Sequence, residues 1–383
     1  MAKVIAIANQ KGGVGKTTTT INLASALSTL EKKTLLIDAD PQANATSALG
    51  ILPNEFEQGT YQFIEGICQA EQCIVRANEF EDHIPTRIDL AALEVGTTKN
   101  TDLLRFDDAL APLREQYDYI LVDCPPSLGM ITLNVFTAAD TVIIPVQAEF
   151  LAFQGLQKLL RTIVTIRKSS NPNLDIEGIL VTMFNPITKI SKFIKAELEK
   201  HFEFLVFNTI IHRNVRLSEA PSHGKSIIHF DINSKGATNY LNLASELIYK
   251  NDNTAEMRAK SLGKDLQEIL DQTEMDDLDF ILNLNARKND AILAQDSSKY
   301  EHIIGLSKEE LKEVRGLAFN DVFSDVWMYR LDNKGKLFKK NYLYLYFLND
   351  KVVDYSLKRF RVTKKQTQNL LSEAIKRLTE QRE

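Results

Sequence analysis

The densest chemistry in the chain lies near its start, in Asn9-Gln10-Lys11-Gly12-Gly13-Val14-Gly15-Lys16-Thr17-Thr18-Thr19-Thr20. These residues follow the apolar run Val4-Ile5-Ala6-Ile7-Ala8 and precede a helical pattern, so the glycines and the Lys-Thr pair sit between a strand and a helix. Glycine lets the backbone turn tightly enough to aim several N–H groups at one anion, and the positive end of the following helix adds to the field. Gly12, Gly13, Val14, Gly15, Thr17 and Thr18 are therefore expected to cradle phosphates. Lys16 would reach the β- and γ-phosphates, and the Thr17 hydroxyl would complete a Mg²⁺ shell. A bare turn does not require strand, glycines, Lys-Thr and helix in that order.

Acidic residues end two of the next apolar runs. Thr34-Leu35-Leu36-Ile37-Asp38-Ala39-Asp40 reads as a buried parallel strand whose carboxylates reach the sheet edge where ligands of open α/β folds bind. Carboxylates there hold Mg²⁺ through water or orient an attacking water; two acids in a plain turn are the other reading. Tyr119-Ile120-Leu121-Val122-Asp123 has four residues of strand character ending in an aspartate, the Walker B signature, which assigns Asp123 to the metal shell. Pro125-Pro126 lacks two N–H donors and stiffens the turn behind it, which suits a segment that senses the γ-phosphate. Cys124 reads as a small buried residue.

The elements that position these groups alternate in type. Ile21 to Leu30 is an amphipathic helix, followed by the strands at Leu35, Ile120, Thr141-Val142-Ile143-Ile144-Pro145-Val146-Gln147 and Gly178 to Asn185, with helices over Phe153 to Lys168 and Lys189 to Phe202. Continuously apolar strands alternating with helices predict an α/β, doubly wound, mostly parallel sheet, the P-loop NTPase architecture. Residues 50 to 100 are poorly periodic; they read as a helical excursion with a strand-like return at Ile88 to Leu93, and Thr209-Ile210-Ile211 reads as a further strand.

Composition excludes several classes. Among 383 residues, 44% are hydrophobic and 25% charged, which are globular values that allow two domains. Cys68, Cys73 and Cys124 form no metal-spaced pair, which points to a reducing, cytoplasmic location. Neither a leader pattern nor a run of about 18 apolar residues is found, so export and membrane spanning are not expected. The net charge of −5 argues against a chain that coats nucleic acid by overall charge, and residues 1–250 carry all of it. Any DNA affinity must come from a local patch. Lys189, Lys192 and Lys195 recur on one side of their helix, and Arg213, Arg216 and Lys225 follow the strand at Thr209; together they form either a phosphate-contacting strip or a solvated face.

Lys11 is a second lysine in a loop that needs only one, and Lys-Gly-Gly-Val-Gly-Lys-Thr resembles the deviant Walker A loop of the ParA/MinD group of ATPases. The resemblance extends through Pro41-Gln42-Ala43-Asn44-Ala45-Thr46 and becomes close at Asn214-Val215-Arg216-Leu217-Ser218-Glu219-Ala220-Pro221-Ser222-His223-Gly224-Lys225, which is similar to the Soj branch of partition ATPases. It implies ATP and Mg²⁺ as cofactors and an ATP-bound homodimer in which Lys11 crosses to the partner's phosphates. It also implies Asp40 in hydrolysis, Asp38 at the metal and switch region, and Asn185 near adenine. The implied function is chromosome or plasmid partition, with non-specific DNA binding, a ParB-like activating protein and a nucleoid-associated location. A switch of the same fold that positions a protein cargo without DNA is the alternative. Two departures bear on DNA and base recognition: Ile187 stands where that branch commonly has arginine, and His212 replaces a proline. The first strand begins at once, so a helix-turn-helix front end and self-repression of a promoter are not expected. Cys68 and Cys73 lie in the poorly periodic insert, which argues against an iron–sulfur role like that of the nitrogenase iron protein.

The resemblance covers residues 1 to about 250. Residues 252 to 310 carry 14 acidic against 7 basic side chains, so 251–305 reads as an acidic linker with short helices. Residues 306–383 read as a small α+β domain: a capped helix from Ser307, then aromatic strands at Val326 to Arg330, Tyr342 to Phe347 and Val352 to Leu357, with tight turns at Asp332 to Gly335 and Asn349-Asp350. In pattern this resembles the helix-then-three-strand domain of the BamE/SmpA kind. Residues 334 to 383 hold 13 basic and 5 acidic side chains. The aromatics read as the core of a small sheet, with nucleic-acid stacking as the alternative. A final amphipathic helix over Gln366 to Gln381 is expected to dock on its own domain or a partner.

Overall fold

The computed structural model describes residues 1–94, 105–149, 152–202, 205–253, 306–315, 326–331, 339–348 and 351–361. The chain divides into two compact units, Met1–Asp271 and Gln272–Glu383.

The first unit is built on a seven-stranded sheet. Its strands are β1 (Lys3–Ile7), β2 (Thr34–Asp38), β3 (Val75–Arg76), β4 (Glu81–Ile84), β5 (Tyr119–Asp123), β6 (Thr141–Gln147) and β7 (Asp175–Thr182), in the order β3-β4-β2-β5-β1-β6-β7. All pairings are parallel except the antiparallel pairing of β3 with β4 at one edge. From β1 the chain moves one way to β2 and β4, and later the other way to β6 and β7. Such reversals open a crevice at the carboxyl ends of the central strands. Buried on both faces, β1, β2 and β5 show the near-continuous apolar runs that a covered parallel sheet requires.

Helices cover both faces. The helix α1 (Lys16–Thr29) packs against a long helix near the end of the unit (Lys235–Asp252), and Leu23, Leu27, Tyr240, Leu243 and Leu247 join Ile5, Ile7 and Leu121 in one buried cluster. Between them in sequence lie α2 (Asn44–Ala48), α3 (Thr60–Ile64), α4 (Arg105–Leu110), α5 (Met130–Ala138), α6 (Ala152–Ser169), α7 (Lys189–Phe202), α8 (Val215–Glu219) and α9 (Ile227–Phe230), which makes the long helix α10. Ser234 caps α10 by accepting from the Ala237 N–H at 3.1 Å.

Two expectations need correction. Ile88–Leu93 is a 3₁₀ helix, and the strand of that region is β4, which reads Glu81-Asp82-His83-Ile84 and pairs with β2. Its polar residues are buried because each finds a partner: Glu81 accepts from Ser25 at 3.0 Å, His83 Nε2 lies 2.9 Å from Glu81, and Asp82 accepts from the Tyr117 hydroxyl at 2.7 Å. Burial of such groups is tolerated only with hydrogen-bond partners. Thr209-Ile210-Ile211 forms no named strand, yet it runs beside β7: the Ile211 N–H donates to Val181 at 2.9 Å and the Ile211 carbonyl accepts from the Phe184 N–H at 3.0 Å, between isolated bridges of Val206 to Ile179 and His212 to Phe184.

In the second unit α11 (Lys308–Arg315) begins at a capping box in which Glu310 accepts from the Ser307 N–H at 2.7 Å. A three-stranded antiparallel sheet follows, β8 (Val326–Leu331), β9 (Lys339–Leu348) and β10 (Lys351–Arg361), in the order β10-β9-β8. The helix and the meander of the sequence reading are both present. The final helix at Gln366 to Gln381, the two turns and nearly all of the acidic linker lie outside the described residues.

Candidate nucleotide site

The loop after β1 takes the strained path its glycines permit. Gly13 and Gly15 have φ of 74° and 93°, the left-handed region, and α1 starts directly behind them. A Cβ built on Gly12 or Gly13 meets nothing within 4 Å, so this stretch of backbone borders open space. The loop is braced from two strands. Thr182 donates to the Val14 carbonyl at 2.7 Å, and the Asn9 amide donates to Pro145 at 2.7 Å while its oxygen accepts from the Lys11 N–H at 3.0 Å.

At the first position of α1, Lys16 is 7% exposed, and its ammonium finds neither a hydrogen-bond acceptor nor an ion pair among the described residues. Burial pulls its pKa down, opposed by the charges of Asp123, Cys124 and Asp40. A buried cation without an acceptor at a helix N-terminus is a group built for an anion. Beside it, the Thr17 hydroxyl donates to Asp123 Oδ2 at 2.7 Å and Thr20 donates to Oδ1 at 3.1 Å. Asp123 is fully buried, and that burial, with the charge of Asp38, pushes its carboxyl up to about 8. Asp38 is its register partner on β2 and is likewise raised, chiefly by burial. Asp38 Oδ2 accepts from the Thr46 N–H at 2.8 Å and the Thr46 hydroxyl at 2.7 Å, and Oδ1 accepts from the Asp40 N–H at 3.1 Å. Asp40 is 5% exposed; its Oδ1 accepts from the Gln42 N–H at 3.0 Å, and Oδ2 takes no protein partner among the described residues.

The donor set fits a hard divalent cation. Thr17 and Asp123 offer oxygens, and among the described residues no three His, Cys, Asp or Glu side chains converge as a cage. Oxygen donors of this kind suit Mg²⁺, which keeps water and substrate phosphates in its shell. Thr18 is half-buried on α1, and Asn185 follows β7, its oxygen accepting from the Ile187 N–H at 3.0 Å.

The raised Asp123 has a consequence for stability. Its folded carboxyl holds a proton to higher pH than an unfolded one, so the folded state binds more protons between about pH 4 and 8. Stability from this group is present at low pH and lost as pH rises through that window. In nucleotide-free protein, wild type is expected to lose stability between pH 6 and 8 more steeply than Asp123→Asn, by at most about 1.4 kcal/mol per pH unit. Calorimetry at matched pH values checks this; parallel curves would contradict it.

Lys11 lies on the rim. Its Nζ is 3.9 Å from Glu149 Oε2, and Glu149 Oε1 accepts from the Gln147 amide at 2.7 Å. The remaining basic residues are placed as follows. The Arg213 N–H donates to Phe184 at 3.1 Å, which draws the Arg213 loop to the turn that runs from Asn185 to Lys189. Lys189, Arg213 and Lys225 are exposed. Arg216 is exposed too, yet it pairs with Glu219 at 2.9 Å and Asp231 at 3.3 Å, so its charge is partly compensated.

Sequence reasoning missed Thr20, Thr46, Thr182 and Glu149. Thr20 ends the loop stretch and Thr46 lies eight residues from Asp38, signals that were available; Thr182 and Glu149 lie far from Val14 and Lys11 in sequence.

Residues 2–176 match a protein family described as AAA domain. The sporulation initiation inhibitor protein Soj of Bacillus subtilis is 47% identical over 250 residues, 64% of this chain and 98% of Soj. The chromosome partitioning protein ParA of Myxococcus xanthus is 44% identical over 250 residues, 65% of this chain and 88% of that protein. Among solved structures, cobyrinic acid a,c-diamide synthase from Mycobacterium smegmatis with bound ADP and magnesium superposes with a TM-score of 0.58 at 34% identity, covering 66% of this chain and 97% of that one. With its loop, its strand-end aspartates and nearly the full length of Soj matched at 47% identity, the chain belongs to the ParA/Soj family of partition ATPases.

Proposed function

We propose that the protein is a Mg²⁺-dependent ATPase whose nucleotide state switches it between single copies and a DNA-holding homodimer that drives chromosome or plasmid partition. The observation that carries the nucleotide part is the largely buried Lys16, whose ammonium has no protein acceptor among the described residues, beside the Thr17–Asp123 pair. Lys16 holds the β- and γ-phosphates on the N–H groups of Gly12 to Thr18, and Thr17 and Asp123 hold the metal, with Asp38 behind them. Mg²⁺ neutralises charge on those phosphates when bound. Asp40 orients the attacking water, and Asn185 borders the base. The bound ADP and magnesium of the synthase from M. smegmatis support this reading.

Lys11 is the cross-subunit group. Its contact with Glu149 joins two partly exposed side chains 3.9 Å apart, and such pairs contribute only about 0–1 kcal/mol, so the lysine is releasable. Lys11→Ala is expected to bind nucleotide within a few-fold of wild type and to stay monomeric with a non-hydrolysable analogue. Sedimentation velocity decides it: a dimer formed by the variant would contradict the cross-subunit role.

The DNA surface is assigned to Lys189, Arg213, Arg216 and Lys225, with hydrolysis stimulated by a ParB-like partner. One observation favours the alternative, a switch that positions a protein cargo without DNA: Arg216 is compensated by two acids, and Ile187, 88% exposed, occupies the position where arginine is common. ATPase turnover and gel shifts with duplex DNA over a salt series separate the two. The partition reading expects stimulation, a steep salt slope and weaker binding by Arg213→Ala; the cargo reading expects none of these.

A further inference from the structure

The helix α5 follows directly on the loop that leaves Asp123, Cys124-Pro125-Pro126-Ser127-Leu128-Gly129. Its N-cap residue, Gly129, offers no side chain, and the N–H groups of Met130 and Ile131 are among those a helix leaves without a partner of its own. A carboxylate from another part of the chain supplies one. Glu94 Oε2 accepts from the Met130 N–H at 3.0 Å and Oε1 from the Ile131 N–H at 3.4 Å. Negative charge is favoured at that end of a helix. The fit is close: a Cβ built on Gly129 would lie 2.0 Å from Glu94 Oε2, and its three nearest heavy atoms all belong to that carboxylate. Thr132, in the first turn of α5, donates to the Ser127 carbonyl at 2.7 Å, which ties the loop to the start of the helix.

Glu94 closes a segment that also holds the other acidic turn. It follows the 3₁₀ helix Ile88–Leu93, which is pinned by the fully buried Leu90 and by Asp89, whose Oδ2 accepts from the Gln62 amide at 2.9 Å. Earlier in the same segment the Thr86 N–H donates to the Thr46 hydroxyl at 3.0 Å, and that hydroxyl donates to Asp38 Oδ2 at 2.7 Å. Residues 86–94 therefore reach from the turn after β2, which carries Asp40, to the loop after β5, which leaves Asp123.

We propose that Glu94 is a positioning residue for ATP hydrolysis: by capping α5 it fixes the loop after Asp123 against the turn that carries Asp40. This role rests on the ATPase reading of the site, and Glu94 acts through the loop, not on nucleotide or metal. The phosphate loop is braced by Thr182 and Asn9 and takes no support from Glu94 in these contacts. Loss of the cap therefore leaves nucleotide binding in place and slows the chemical step, since a small misplacement of reacting groups is enough for a large loss of rate.

The test compares the full chain with Glu94→Ala, Gly129→Ala and the double variant, by titration with fluorescent ATP and ADP analogues and by single-turnover hydrolysis. Glu94→Ala is expected to keep both affinities within about three-fold and to hydrolyse about ten-fold more slowly. Gly129→Ala, whose added methyl displaces the carboxylate, should reproduce that loss, and the double variant should lose no more, because both changes break one contact. Glu94→Gln keeps one acceptor and should fall in between; it carries the test if Glu94→Ala proves unfolded by circular dichroism. A merely structural role would lower affinity and rate together or let the two single losses add. Turnover that is unchanged or faster in folded Glu94→Ala, or in Glu94→Gln where it stands in, would overturn the inference, as would affinity lost along with rate or additive losses in the double variant. A wild type without turnover would sink the ATPase reading itself, and the role of Glu94 with it.

Discussion

Lys16→Ala is expected to lower ATP affinity by roughly 10- to 150-fold while leaving the nucleotide-free fold intact. The side chain is 7% exposed, sits at the first position of α1 and makes no ion pair among the described residues, so removing it breaks no bond of the nucleotide-free protein. Burial already holds its pKa below the ordinary lysine value, and deleting a desolvated cation relieves that cost. With nucleotide the balance reverses. A charge-assisted hydrogen bond to phosphate contributes about 1.5–3 kcal/mol, and here it acts beside a helix N-terminus. Titration with a fluorescent ATP analogue measures the loss. Thermal melts give a second readout: ATP and Mg²⁺ should raise the wild-type midpoint by mass action and leave that of the variant unmoved. An equal shift in both would remove Lys16 from the phosphate site.

Asp40→Ala is expected to lower turnover by about 10²–10⁴-fold, the usual range for a positioned acid–base group, while ATP stays bound and the dimer persists. The family resemblance chooses Asp40 over Asp38, and the partners of the two acids support that choice. Both oxygens of Asp38 are engaged, by Thr46 and by the Asp40 N–H, which makes it the anchor of the turn after β2. Asp40 leaves Oδ2 without a protein partner among the described residues, while Oδ1 is steadied by the Gln42 N–H at 3.0 Å. Single-turnover phosphate release and sedimentation with ATP test the two halves separately. A variant that stays monomeric with ATP counts against Asp40 as the hydrolytic group, and unchanged turnover removes it outright. Asp40→Asn, which retains an acceptor for Gln42, separates loss of the carboxylate from loss of the turn.

How much of the site could be read beforehand follows from the range of the interactions involved. The loop from Lys11 to Thr18 was legible because its work is local: glycines at Gly13 and Gly15 take left-handed backbone, and Lys16 begins the helix behind them. The strands β1, β2, β5, β6 and β7 were legible because a sheet covered on both faces demands unbroken apolar runs. β4 was not. Glu81, Asp82 and His83 look like surface residues until Ser25 and Tyr117 arrive from other elements to satisfy them. Ile88–Leu93 failed in the opposite direction, since a short apolar run alone does not distinguish a strand from a turn of helix.

The order of residues in the chain determined which anion chemistry this protein carries, since the phosphate loop is one unbroken stretch and each acid closes its own apolar run. Tertiary structure alone decided which oxygens of those acids are already taken, that Thr182 and Asn9 brace the loop, and that Glu149 sits beside Lys11. The physical reason is that turn and helix preferences act over a few residues. Pairings such as Thr17 with Asp123 span 106 positions and exist only once the strand order brings them to one edge of the sheet.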